Sequence, residues 1–318
     1  MIDYDIHLHS FFSTDSEENQ ENIIEHALSL GLKGICFTDH MDLYFPLECS
    51  KKSGGDFNFD LDKYLESLST LKEKYGKRIE VLIGMEIGLR DEPELKEKCL
   101  KEYEEMLNSY PFDFIIGSTH CLENIDPYWE EYWYGRTAEE GLGRYFDAID
   151  KNVSYYSCFD SLGHLDYLVR YVSKEAVLRS LEKKGLDAAK LLGAKEDSII
   201  GAGSFEPAAI KRLYGREIFD PMEFMDQIEG ILKKIIDSGK ALEINSAGIK
   251  YGLGFAHPKK EILKRYRELG GELITIGSDA HKAEHLAYDF SSVHDLLKSL
   301  GYKYYFVYKD RSPKGYIL

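Results

Sequence analysis

The feature that most restricts the fold of this chain is its regular alternation of short apolar runs with stretches of helical period. Strand-like runs cover 4–8, 34–38, 79–87, 113–118, 161–165, 241–246 and 272–277, with a further run at 303–307. Helical stretches cover 18–30, 61–75, 92–109, 138–152, 222–238 and 257–269. In the second of these, Leu61, Leu65, Leu68 and Leu71 recur three or four apart, the spacing of one helix face. Gly31 and the pair Gly270-Gly271 follow helices as stop signals. Strands alternating with helices make βα units and a parallel sheet. Seven or eight such units favour an α/β closed, TIM-like barrel over an open sheet.

Two stretches break the rhythm. Residues 45–60 are polar and Gly-rich and are expected to form a long loop over one end of the barrel. Residues 174–221 hold helical pieces around 178–192 and 207–214, joined by 201–204. They predict a helical insertion between strands 5 and 6, serving as a cap or dimer contact, within a single domain spanning 1–318.

With 318 residues, 43% of them hydrophobic, the chain can bury the core of one large barrel. Forty basic against 56 acidic residues leave a formal charge of −16. Such a surface repels nucleic acid and anionic lipid, but a small anion can still be drawn to a local cationic centre. The five cysteines form no CxxC pair, and several lie in apolar runs as small hydrophobes, which points to a reducing cytoplasm. No secretion signal or bilayer-spanning run is read.

In a parallel barrel every strand finishes on one face, where catalytic residues of such folds gather. Here the strand ends are rich in titratable groups. The first carries His7 and His9, which alternate onto one face of a strand, with Asp15 in the following loop. The next carry Thr38-Asp39-His40, then Glu86, Ser118-Thr119-His120 and Gly163-His164-Leu165-Asp166. The last carry Glu243-Ile244-Asn245 and Gly277-Ser278-Asp279-Ala280-His281. His26, His257, His285 and His294 fall elsewhere and are read as surface or packing residues. So many buried charges on one rim would be strongly destabilising unpaired, whereas divalent cations neutralise them. The pattern predicts a multinuclear metal site, and imidazole plus carboxylate suits zinc, iron or manganese.

Taken together, these motifs resemble the polymerase-and-histidinol-phosphatase (PHP) family, and within it the histidinol-phosphate phosphatase branch. The resemblance runs from residue 7 to 281. It implies a distorted (β/α)7 barrel, with the run at 303–307 peripheral, and three divalent metals on the C-terminal rim. His7, His9, Glu86 and Asp279 match the ligands of the first metal. Glu86 would bridge to a second, completed by His120 and His164. Asp15, His40 and His281 match the third, and relatives often have histidine in place of Asp15. His7, His9, Glu86, His120, His164, Asp279 and His281 would thus form the catalytic centre.

Three divalent ions with Asp15, Glu86, Asp279 and one hydroxide leave about +2, which suits a phosphomonoester dianion. The expected chemistry is in-line attack on phosphorus by a hydroxide bridging metals, with no phosphoenzyme. Arg170 and Lys250 are placed to grip phosphate, relatives tending to have arginine at the second position. Asp42 and Glu123 are candidates for the ammonium and imidazole of the substrate, while Asp39 and Asp166 would orient ligands. The implied reaction converts L-histidinol phosphate, a small phosphorylated amino-alcohol, to L-histidinol and phosphate in histidine biosynthesis. The protein would act as a cytoplasmic monomer or homodimer with no nucleic-acid or membrane partner. The alternatives are another small phosphomonoester, such as a nucleotide or sugar phosphate, or a non-catalytic metal-binding regulatory module.

Overall fold

The computed structural model describes residues 1–185 and 219–318. Seven parallel strands form a ring: β1 (Tyr4–Leu8), β2 (Gly34–Phe37), β4 (Glu80–Gly88), β5 (Phe114–Ser118), β6 (Ser161–Leu162), β7 (Ala241–Asn245) and β8 (Ile274–Gly277). β3 (His40–Met41) is a two-residue strand paired with the end of β4, His40 opposite Glu86. The ring closes at its C-terminal mouth, where His9 N–H donates to Ala280 O (2.8 Å) and Asp279 N–H to His7 O (2.8 Å). Closure needs close approach: a Cβ on Gly277 would collide with the Cβ of His7.

Every residue of β1, β2, β5, β7 and β8 is buried, as expected of strands covered on both faces. Several of the helices around them begin where the sequence supplies caps. Asn19 accepts from Glu21 N–H ahead of α1 (Gln20–Ser29), and Asp60 from Lys63 N–H ahead of α3 (Leu61–Tyr75). A capping box of Thr137 and Glu140 opens α5 (Ala138–Tyr155).

Several expectations are adjusted. The stretch 45–60 contains the helix α2 (Leu47–Ser53), closed by Gly54 at φ 88°. The fifth strand is only two residues long, because the chain turns after Leu162 to present His164. The last expected helix begins at Lys260, leaving His257 in the preceding loop. A helix at Phe290–Ser299, with Phe290, Val293 and Leu297 buried, was not expected. Within the insertion, α6 (Lys174–Lys183) covers the start of the expected piece 178–192, while 186–192, 201–204 and 207–214 lie outside the described residues.

The run at 303–307 forms β9 (Tyr304–Lys309), which pairs antiparallel with an unexpected β10 (Ser312–Ile317). This hairpin stands at the N-terminal end of the barrel. Tyr305 Oη accepts from Asp3 N–H, Arg311 N–H donates to Asp113 O, and Tyr308 stacks on Phe114 at 5.2 Å. No helix among the described residues is long and apolar enough to cross a membrane.

Candidate metal centre

The strand ends converge around Glu86, a fully buried carboxylate on β4. Its Oε2 lies 3.3 Å from His7 Nε2, 3.5 Å from His9 Nε2 and 3.0 Å from His40 Nδ1. Its Oε1 lies 3.3 Å from His120 Nε2 and 2.9 Å from His164 Nε2, and accepts from Ser118 Oγ at 2.6 Å. Asp279 Oδ1 adds a second carboxylate, 3.8 Å from His7 Nε2 and 3.4 Å from His9 Nε2. On the outer side, Asp15 Oδ2 approaches His40 Nε2 (3.6 Å) and His281 Nε2 (3.1 Å). All nine residues therefore face one another across a single cluster.

The ring orientations have a cause. Ser13 Oγ donates to Asp39 and so accepts from His9 Nδ1 (3.0 Å), which leaves the His9 Nε2 lone pair facing inward. His7 Nδ1 lies 2.5 Å from Glu243 Oε1, and His120 Nδ1 lies 2.9 Å from Asp42 Oδ2, which turns the Nε2 of each ring inward. His7 Nε2 and His9 Nε2 then stand 3.1 Å apart. Two imidazole nitrogens this close to each other and to Asp279 can share one cation. Glu86 Oε2 and His40 Nδ1 are likewise buried and face each other without forming a hydrogen bond. Orphaned buried acceptors of this kind fit a metal centre.

Electrostatics follow from the packing. Burial alone would raise the Glu86 carboxyl, but His7, His120 and His40 outweigh it and hold it well below the usual range. Burial, reinforced by His281 and His40, drives His9 well below an ordinary imidazole, so this ring is neutral and free to donate. His120 is raised to about 10: burial opposes the charge, but Asp42 and Glu86 overcome it. Asp279 sits at φ 53°, a left-handed conformation that Asp tolerates better than most residues.

The remaining expected residues divide. Arg170 lies against Tyr167, Tyr171 and Tyr251, 4.4 Å from the last ring centroid. Its Nε and Nη1 are buried with no hydrogen-bond partner among the described residues. Lys250 Nζ donates to Asp279 O at 3.1 Å. Two expectations are corrected. Asp42 is buried and turned to His120, which makes it an orienting group. Glu123 pairs with Arg136 and Arg144 (2.5 and 3.1 Å). Asp39 accepts from Ser13 Oγ (2.8 Å), the hydroxyl that faces His9 Nδ1, whereas Asp166 pairs with His257 Nδ1 at 2.6 Å.

His257, expected to be an ordinary histidine, is wholly buried in that pair. Glu243 was visible as a strand end but not as the partner of His7, and it also accepts from His164 N–H at 2.7 Å. Its odd-numbered alternation with Asn245 on β7 was the available signal.

A PHP domain profile matches residues 5–247. The histidinol-phosphatase of Lactococcus lactis is 31% identical over 307 residues, covering 94% of this chain and 91% of that protein. The probable histidinol-phosphatase of Clostridium acetobutylicum is 30% identical over 300 residues, covering 91% and 90%. Among solved structures, histidinol phosphate phosphatase from Lactococcus lactis, complexed with zinc, L-histidinol and phosphate, superposes with a TM-score of 0.73 at 27% identity. The superposition covers 98% of this chain and 99% of that one. With the profile matching most of the chain and full-length relatives at this identity, the chain belongs to the PHP domain family.

Proposed function

We propose that this chain is a metal-dependent phosphomonoesterase that hydrolyses L-histidinol phosphate to L-histidinol and inorganic phosphate, a step of histidine biosynthesis. The observation that carries the reading is Glu86, whose two oxygens divide five imidazoles into two sets. The similarity to the Lactococcus lactis enzyme directs it to this substrate.

The residues that would hold the ions are His7, His9, Glu86 and Asp279 for one, Glu86, His120 and His164 for a second, and Asp15, His40 and His281 for a third. The inward-facing nitrogens described above support this assignment. Their donor set suits zinc, manganese or iron, and zinc is present in the Lactococcus lactis structure. Divalent ions bound there supply Lewis acidity at the phosphoryl oxygens and lower the pKa of a water toward neutrality.

The chain itself binds and orients. Arg170, with two unpartnered N–H groups and a wall of tyrosine rings, presents a fork that matches two phosphate oxygens. Lys250, anchored on the Asp279 carbonyl, adds a second cation beside it. Glu243, Asp42 and Ser118 hold His7, His120 and Glu86 in the orientations the site needs. Every residue named belongs to one chain and one barrel, which supports a single domain, with 174–221 as an insertion, acting as a monomer or homodimer. Five buried free thiols support a reducing, cytoplasmic setting.

The test is phosphate release from L-histidinol phosphate, a nucleoside monophosphate and a sugar phosphate, before and after chelation and re-addition of zinc, manganese or iron. The expected result is a kcat/KM for L-histidinol phosphate at least about tenfold above the others, abolished by chelation. Equal turnover of nucleotides would overturn the substrate, and full activity without metal would overturn the centre.

A further inference from the structure

Asp126 stands just beyond the metal cluster, and none of the roles above uses it. It follows a tight turn after β5 in which Leu122 and Ile125 exchange backbone hydrogen bonds of 2.9 Å, so the chain doubles back toward the mouth of the barrel. Its amide donates to Cys49 Sγ on α2 (3.5 Å). Its Oδ1 accepts from Tyr128 N–H (2.9 Å), while Oδ2 has no donor among the described residues. The carboxylate is partly accessible, and the Tyr128 that anchors it packs edge-on against Tyr171 at 5.0 Å, close enough for its charge to bear on His120 and His40 and on Tyr171 and Tyr167.

Those two tyrosines also carry Arg170, whose guanidinium lies 5.7 and 5.1 Å from their ring centroids. Aromatic contacts continue outward from the cluster: His164 to Tyr167 (4.6 Å), Tyr167 to Tyr171 (5.9 Å) and Tyr171 to Tyr128 (5.0 Å). The wall therefore has a buried cation and, next to its outer ring, an anion, neither of them with an ion-pair partner among the described residues. That is the complement of a small molecule with a phosphate at one end and an ammonium close by. Carboxylate plus π-faces is the chemistry that recognises an ammonium. Burial raises the Asp126 carboxyl to about 6, outweighing the Tyr128 N–H and the more distant His120 and His40.

We infer that Asp126 is a specificity-determining residue that receives the amino group of the substrate, so that the enzyme selects phosphomonoesters carrying an ammonium near the ester oxygen. The inference rests on the phosphatase reading above and deepens it. The structure commits the two acidic residues nearer in sequence to His40 and His120, Asp42 and Glu123, to other partners.

The experiment compares kcat/KM for L-histidinol phosphate with that for its analogue bearing hydrogen in place of the amine, in the metal-loaded wild-type protein and in Asp126→Asn. The asparagine retains an oxygen for Tyr128 N–H, and bound metal is measured in both proteins. The wild-type ratio is expected to favour the amine and to fall by about 10–100-fold in the variant, the loss of one charged hydrogen bond. A ratio that is unchanged in the variant, whether or not both rates fall, overturns the inference. So does a wild-type ratio near one. Failure of the wild type to hydrolyse either ester would instead remove the phosphatase reading itself.

Discussion

A carboxylate with two oxygens can join two metal positions only if donors approach it from both sides, and Glu86 meets that condition through five imidazoles from four other segments. What holds those neighbours is a layer of carboxylates and hydroxyls behind them, of which Glu243 is the most connected. It orients His7 through Nδ1 and also accepts from His164 N–H and Asn245 Nδ2. Glu243→Gln keeps the shape but weakens the acceptor behind His7. Metal affinity is expected to fall by about 10–100-fold with the fold intact, as read by competition with a chelator. Unchanged affinity would mean that packing alone sets the His7 ring. The inward-facing residues were legible in the sequence because a parallel barrel sends every strand end to one rim. The layer behind them was not, since pairs such as His120 with Asp42 or His257 with Asp166 exist only once distant segments meet. His257 shows the difficulty most plainly: nothing in its neighbours along the chain marks it as buried.

Among the elements, seven strands could be read from apolar runs, although the fifth, expected over 161–165, narrows to the two residues of β6, whereas the two-residue β3 could be placed only by its partner. β9 was legible as a run but not as half of a hairpin. Its partner β10 (SPKGYI) is mostly exposed and lacks the apolar signal. Its position at the N-terminal end separates stability from chemistry, as in barrels whose active sites occupy the opposite face. Tyr308, 3% exposed and stacked on Phe114, tests this. Tyr308→Ala is expected to cost about 3–5 kcal/mol in denaturant unfolding. At a temperature where the variant remains folded, kcat should stay within about twofold of wild type, because metal ligands and substrate groups are held from the far end. A large loss of kcat in folded protein would show that the two ends are coupled.

For the molecule as a whole, cations and protons compete for the same lone pairs, and this sets how stability depends on pH. In the metal-free protein, His120 is raised to about 10 through Asp42 and Glu86 once their pull exceeds the cost of burial. Its contribution is therefore fully present below the ordinary imidazole value of about 6.5 and is lost as pH rises through about 10. Glu86 and Asp279 are depressed by the surrounding imidazoles, which outweigh burial. Their contribution is present above about pH 4.5 and is lost as pH falls through their lowered values. A divalent ion replaces the imidazole protons as counter-charge to these carboxylates, so its advantage over the metal-free state must grow with pH. Free ion at a hundredfold excess over Kd stabilises by about 2.7 kcal/mol per site. Because that Kd tightens as protons leave, the gain in Tm on adding a fixed concentration of zinc or manganese is expected to be larger at pH 8 than at pH 6. Thermal unfolding of chelator-treated protein with and without metal at the two pH values checks this. An equal gain at both would mean that the ions sit on carboxylates alone and that the imidazoles of the strand ends take no part in holding them.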